Sequence, residues 1–288
     1  MSGNLVKRIA FSVVAIPLAL AVVWWGGWPM AGVLALLGVL GTREVYDLAR
    51  RQGIEALPGL GYPAAALIPV AAYWAKGSEL HWAEPALFLG ALWLLAVLTA
   101  AMTARGPQGR PLAAVAVTVF GVLYASALLS FLIAIRHGGA EGTVVSAGAR
   151  SWLVILPLGV TWICDTCAMA AGAAFGGPKL APVLSPHKTW SGAIGGTLGG
   201  LVAALVIGLL ILPRVGVHFG VWQLAAVGFI VAVVGQLGDV AESLFKREAG
   251  VKDSSALIPG HGGVLDRLDS LYFVIPVSAG VFKLLGFA

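Results

Sequence analysis

An all-α polytopic bundle of about nine transmembrane spans is the architecture this sequence predicts, and three observations carry the prediction. Hydrophobic residues fill 59% of the 288 positions and the mean hydropathy is +0.93, far outside the composition of soluble domains. The apolar residues gather into runs of about 20, the length a helix needs to cross the hydrocarbon. None of these runs shows the polar alternation of a barrel strand, and backbone groups in lipid must be satisfied within their own segment.

The runs lie at roughly 8 to 27, 29 to 48, 60 to 76, 84 to 103, 111 to 135, 151 to 173, 190 to 212, 220 to 245 and 267 to 287. Lys7 and Arg8 precede the first, and Ala19, Leu20 and Ala21 imitate a signal cleavage site. The run continues through Trp24 and Trp25, so a retained helix is expected, with Trp24, Trp25 and Trp28 at the far interface. The second run ends in Arg43, Glu44, Asp47, Arg50 and Arg51, which read as a solvated helix end. Residues 1–150 are expected to form a transmembrane scaffold and residues 151–288 the catalytic region, together one integrated membrane domain. The only cysteines, Cys164 and Cys167, form a lone CxxC inside an apolar run, which indicates packing rather than a zinc or redox centre.

Orientation follows from Lys and Arg, which accumulate in cytoplasmic loops. With the N-terminus inside, Lys76, Arg136, Arg150, Arg214 and Lys283 fall outside and the other 13 of the 18 basic residues inside. This places the protein in the cell inner (cytoplasmic) membrane as a multi-pass protein, its polar site facing the cytoplasm. The net charge of +5 is spread over five inside segments with no single basic face, so anionic lipid headgroups explain it and nucleic acid does not.

Polar chemistry begins at Asp165, near the middle of the sixth run, where an ionised acid costs about 2.5–3.5 kcal/mol on insertion scales. It should face a bundle interior or a wet cavity, as a functional group or as a hydrogen-bonding post. The next loop, GGPKLAPVLSPHKTW, offers two lysines, Lys179 and Lys188, and the hydroxyls of Ser185 and Thr189, and its prolines prevent a continuous helix. Such a loop either presents cations and hydroxyls to phosphate or simply connects two spans. Beyond it Gly192, Gly196 and Gly200 recur every four residues, a period of close helix packing, within the chain or across a homodimer.

The stretch from Ser243 to Asp269 holds four acids and four Lys or Arg in 27 positions, although charged residues are 11% of the chain. Asp239, Glu242 and Ser243 share one helical face, and Asp266 and Asp269 repeat the i, i+3 spacing beyond the PGHGG segment. If the loop folds back, Asp239 and Asp266 make a hard oxygen site of the kind Mg²⁺ takes, with waters and substrate phosphates completing the shell. Lys246, Arg247, Lys252 and Arg267 could then neutralise a polyphosphate. The plainer alternative is a surface loop whose charges pair with one another.

In this stretch Ser243, Lys246, Arg247, Lys252, Asp253, Pro259, His261, Gly262, Gly263, Asp266, Arg267 and Asp269 stand at the spacings of a known signature. The chain resembles the phosphatidate cytidylyltransferases, or CDP-diacylglycerol synthases, on about its C-terminal tenth. The Asp165 segment and SPHKTW look like further family blocks. Cys167 stands where many members carry Gly and Ser191 where many carry Glu.

The resemblance implies transfer of the cytidylyl group of CTP to phosphatidate, giving CDP-diacylglycerol and pyrophosphate. Asp239 and Asp266 would hold Mg²⁺, with a monovalent cation as a second ion. Asp239, Asp266, Lys252, Asp253, His261 and Arg267 are the expected catalytic set, with His261 orienting a ligand or fixing the loop rather than acting as an obligatory base. Substrate is expected to meet Ser185, Lys188, Thr189, Ser243, Lys246, Arg247, Asp165 and Asp269. A proton- or ion-coupled transporter would explain Asp165 but not the cationic loop. A CDP-alcohol phosphotransferase would need a DGxxAR pattern that this chain lacks.

Overall fold

The computed structural model describes residues 3–76, 83–138, 145–258, 260 and 262–287. Each apolar run becomes helix. The first four are α1 Gly3–Trp25, α2 Gly27–Arg50, α3 Pro58–Lys76 and α4 Ala83–Ala104. Then α5 Pro111–Val122 and α6 Leu128–His137 run into one another through a π-turn at Leu123–Ala127. After them come α7 Ala147–Phe175, a two-stranded hairpin, α8 Trp190–Val206 and α9 Val221–Glu248. The chain closes with the one-turn α10 Leu265–Leu268 and with α11 Leu271–Leu284.

The expected count of about nine spans is not established by these helices. Among the described residues five are long and apolar enough to cross a membrane: Glu84–Ala104, Pro107–His137, Ala147–Phe175, Trp190–Val215 and Val221–Glu248. In α2 the charges Arg43, Glu44, Asp47 and Arg50 crowd the last two turns. The 14 residues of α11 reach only about 21 Å, short of the roughly 30 Å of hydrocarbon. Large apolar side chains such as Leu87, Met102, Phe175 and Trp222 point outward, as they can where lipid tails are the solvent.

The glycine repeat is used inside the chain. A Cβ at Gly192 would lie 2.8 Å from the Ala168 carbonyl, and one at Gly196 would lie 2.9 Å from Ala168 Cβ. Gly200 meets Ala232 of α9 at 2.9 Å in the same sense. The small residues thus let α8 approach α7 and α9 almost backbone to backbone, which places the hairpin beside α9.

Contacts also sort the bundle into two ends. At one, Arg105 Nη1 lies 3.6 Å from Glu55 Oε2 and Arg110 Nη1 donates to Gln52 O, while Arg247 Nε donates to Leu184 O. At the other, Arg136 Nε donates to Val23 O at 2.8 Å and the Gly27 N–H donates to His137 Nε2 at 2.9 Å. Lys76 lies within electrostatic reach of Arg150 and Lys283, so four of the five basic residues assigned to the outer side group away from the charged loop.

Candidate active site

The site is framed by α7, the hairpin, α8 and α9. Helix α7 stops at Gly176, whose φ of +57° suits a residue without a Cβ, and three prolines, Pro178, Pro182 and Pro186, bar helix from the segment that leads to α8. The chain turns into β1 Lys179–Ala181 and β2 Ser185–Thr189, paired antiparallel. Thr189 caps α8, its Oγ1 accepting the Gly192 N–H at 3.1 Å. Ser191 Oγ donates to Gly176 O and the Trp190 N–H to Pro178 O, so both ends of the hairpin are tied to its helices.

Between these elements lies a cavity of about 430 Å³ lined by Asp165, His187, Lys188, Thr189, Gln236 and Asp239, among others. Lys188 Nζ lies 2.6 Å from Asp239 Oδ2, with both side chains partly exposed. Gln236, one turn before Asp239, is held by Nε2 donation to Thr197 Oγ1 at 3.1 Å and to Ala232 O at 3.2 Å. Asp165 is exposed to this cavity and lies within electrostatic reach of Asp239 and Lys188. Asp269 is half-buried, accepts the Ser270 N–H at 2.6 Å, and joins the same field beside Asp239 and Asp165.

Asp266 sits in a different setting. Its Oδ1 accepts from Lys246 Nζ at 2.7 Å, and its Oδ2 accepts from Ser254 N, Ser254 Oγ and Gly263 N at 2.7–2.8 Å. Burial alone would raise this carboxyl, but Lys246 and the loop donors outweigh it and hold Asp266 below the usual carboxylate range. Lys246 is itself buried, with Glu242 Oε1 at 3.0 Å on its other side. The structure therefore places Lys246 inside an ion triad rather than on the cavity wall.

The second acid that organises this loop comes from the N-terminal half. Glu44, expected as part of a solvated helix end, is 3% exposed. It accepts from Ser254 Oγ, Ser255 Oγ, Val264 N and Leu265 N at 2.7–2.9 Å. The expectation fails because four donors from the loop replace the water that a surface carboxylate would use. Gly263 has no room for a side chain, since a Cβ there would collide with Ser254 Oγ and both Glu44 oxygens.

Of the remaining expected residues, Lys252, Asp253 and Arg267 are exposed, Ser185 is half-buried on β2 and Ser243 is buried in α9. Arg247 joins the hairpin to the loop, donating to Leu184 O and Val251 O. His261 and Pro259 lie outside the described residues. Asp239 and Asp266 are thus engaged by different cations, Lys188 and Lys246. Among the described residues no three His, Cys, Asp or Glu side chains converge as a metal cage. The oxygen donors of Asp165 and Asp239 at the cavity still suit magnesium, which needs few protein carboxylates when phosphates and waters complete its shell.

Comparison with known proteins gives this geometry a family. Residues 6–285 match the Cytidylyltransferase family. The chain belongs to that family. Among similar proteins, the phosphatidate cytidylyltransferase of Synechocystis sp. is 31% identical over 94% of both chains. Phosphatidate cytidylyltransferase 4, chloroplastic, of Arabidopsis thaliana is also 31% identical, over 94% of this chain and 72% of its own. A phosphatidate cytidylyltransferase of Brucella suis is 48% identical, but the match spans only 41% of this chain and 42% of that protein.

In this cytidylyltransferase-family chain, Gln236, Glu44 and Ser254 are site or loop residues that sequence reasoning did not single out. Gln236 precedes Asp239 by three positions on one helical face, a signal that was available. His187, uninformative by itself, lines the cavity beside Lys188. Glu44 and Ser254 are 210 positions apart, and no local pattern links them.

Proposed function

We propose that the chain transfers the cytidylyl group of CTP to phosphatidate, releasing CDP-diacylglycerol and pyrophosphate. The observation that carries this is the 94% reciprocal match to a relative of that name, over a chain whose acids and bases collect at one end of a membrane bundle. We further infer a bundle of about nine membrane-inserted segments, five of the described helices being long enough to cross by themselves, with an N-terminal scaffold over 1–150 and a catalytic region over 151–288. We assign the charged end to the cytoplasmic side of the cell inner membrane, because CTP is met there and most basic residues fall there.

In this reaction a phosphatidate oxygen attacks the α-phosphorus in line, a new P–O bond forms, and the α–β bridging bond breaks with its electron pair leaving on pyrophosphate. A phosphate monoester is nucleophilic near neutral pH, so the chain needs to supply position and charge more than a base. Lys188 presents its ammonium at the cavity, and the Lys252 ammonium and Arg267 guanidinium are exposed on the loop. Asp239 and Asp266 would be the carboxylates that hold magnesium, with Asp165 and Asp269 deepening the negative field. When bound, magnesium supplies neutralisation of charge on the α-phosphate and the departing pyrophosphate.

Purified protein incubated with phosphatidate, labelled CTP and Mg²⁺ tests the proposal. Labelled CDP-diacylglycerol with equimolar pyrophosphate is expected. CTP left intact, or consumed without a lipid product, overturns it.

A further inference from the structure

We propose that Glu44 of α2 is a positioning residue for the transfer reaction, holding the stems 254–258 and 262–265 of the charged segment in their working arrangement from the opposite half of the chain. The inference rests on the cytidylyl-transfer reading. Glu44 grips both stems of that segment, Ser254 and Ser255 on one side and Val264 and Leu265 on the other. Between the stems the Ile258 N–H donates to Gly262 O at 2.8 Å, so the segment is closed at its base by Glu44 and again further out.

The grip reaches a site carboxylate through one shared hydroxyl. Ser254 Oγ lies 2.9 Å from Glu44 Oε2 and 2.7 Å from Asp266 Oδ2, and one proton cannot serve both oxygens at once. The two acids therefore compete for the Ser254 hydroxyl, while the Leu265 N–H also donates to Glu44 Oε2 and the Gly263 and Ser254 N–H groups also donate to Asp266 Oδ2. Loss of Glu44 would free Ser254 to turn fully to Asp266 and release the Val264 and Leu265 amides that precede it. Asp266 and the adjoining Arg267 would then shift relative to the cavity. Displacements on the order of 1 Å at a reacting centre cost about 100-fold in rate.

Glu44→Gln gives a sharp test because the amide keeps the volume while turning one acceptor oxygen into an NH₂ group. That group must face Val264 N–H or Leu265 N–H, neither of which can reverse as a hydroxyl can. In purified full-length protein, kcat is expected to fall on the order of 10- to 100-fold with KM for CTP changed less than about threefold. Hydrogen exchange should rise within 250–270 while α7 and α11 stay protected. Ser255→Ala, which removes one donor and leaves the carboxylate in place, should show a smaller fall in the same direction.

Unchanged kcat in Glu44→Gln with exchange raised in the loop would make Glu44 an anchor only and overturn the inference. So would a loss of activity that follows the fraction of unfolded protein. If Glu44→Gln does not fold, Ser255→Ala with wild-type kcat and raised loop exchange overturns it alone. Wild-type protein that makes no CDP-diacylglycerol instead removes the transfer reading, a result distinct from all of these.

Discussion

Lys188 Nζ stands 2.6 Å from Asp239 Oδ2, so an ammonium from the hairpin occupies one oxygen of a carboxylate that faces the cavity. A divalent ion arriving at Asp239 meets a cation already there, and an incoming polyphosphate offers that cation other partners. Lys188→Met is therefore expected to lower kcat/KM for CTP by roughly 100-fold while moving half-saturation by Mg²⁺ to a lower concentration. Steady-state rates across a Mg²⁺ series measure both, and an unchanged Mg²⁺ requirement would separate Lys188 from the ion.

Asp239→Asn and Asp266→Asn should each abolish CTP-dependent product formation, but with different effects on the fold. Asp266 is locked to buried Lys246, and breaking such a pair costs about 3–5 kcal/mol, whereas Asp239 is partly exposed and its loss should be mild. Activity and thermal midpoint measured on the same samples check this. Wild-type-like activity in either variant would remove that residue from the reaction.

Chelation of divalent ions should stop product formation and leave the thermal midpoint unchanged, with Mg²⁺ restoring the rate. The folded contacts of Asp239 and Asp266 are made to lysines and loop donors, so the bundle has no need of the ion for its stability. A midpoint that falls with chelator would show otherwise.

Gly263→Ala should open the charged loop, because the new methyl meets Ser254 Oγ and the Glu44 carboxylate together. A cost of about 1–3 kcal/mol is expected from the overlap, seen as faster proteolytic cleavage between 249 and 270. Cleavage at the wild-type rate would mean that the loop yields elsewhere.

Gly196→Leu should force α8 away from α7 and lower stability by about 3 kcal/mol or more, since even a Cβ there lies 3.0 Å from the Cys164 carbonyl. Gly148→Ala, at a position of α7 with no neighbour within 4 Å, is the matched control and should be near neutral. Equal thermal midpoints for the two would contradict the packing described.

The helices were legible because a membrane bundle advertises each one as an apolar run, and the glycine period announced the close pairing of α8. The span count was less so, since α2 carries its charges inside the helix and α11 is only 14 residues long. Within the site, charge density located the loop but could not say which charges are spent on each other. Lys246 and Asp266 look as available in sequence as Lys252 and Arg267, yet the first two are buried together and the last two are exposed. Glu44 was misplaced for the opposite reason: an acid at the end of an apolar run has the signature of solvent contact until its donors, more than 200 residues later, are known.

That separation gives the Glu44 clasp a meaning for biosynthesis. The carboxylate is made long before Ser254 or Leu265 leaves the ribosome, so through most of translation water must stand in for its four donors. Only the arrival of the loop lets it be withdrawn from water, which makes closure over Glu44 a late event in maturation. Fragments ending before residue 254 would keep this acid wet and leave the end of α2 open to solvent and proteases.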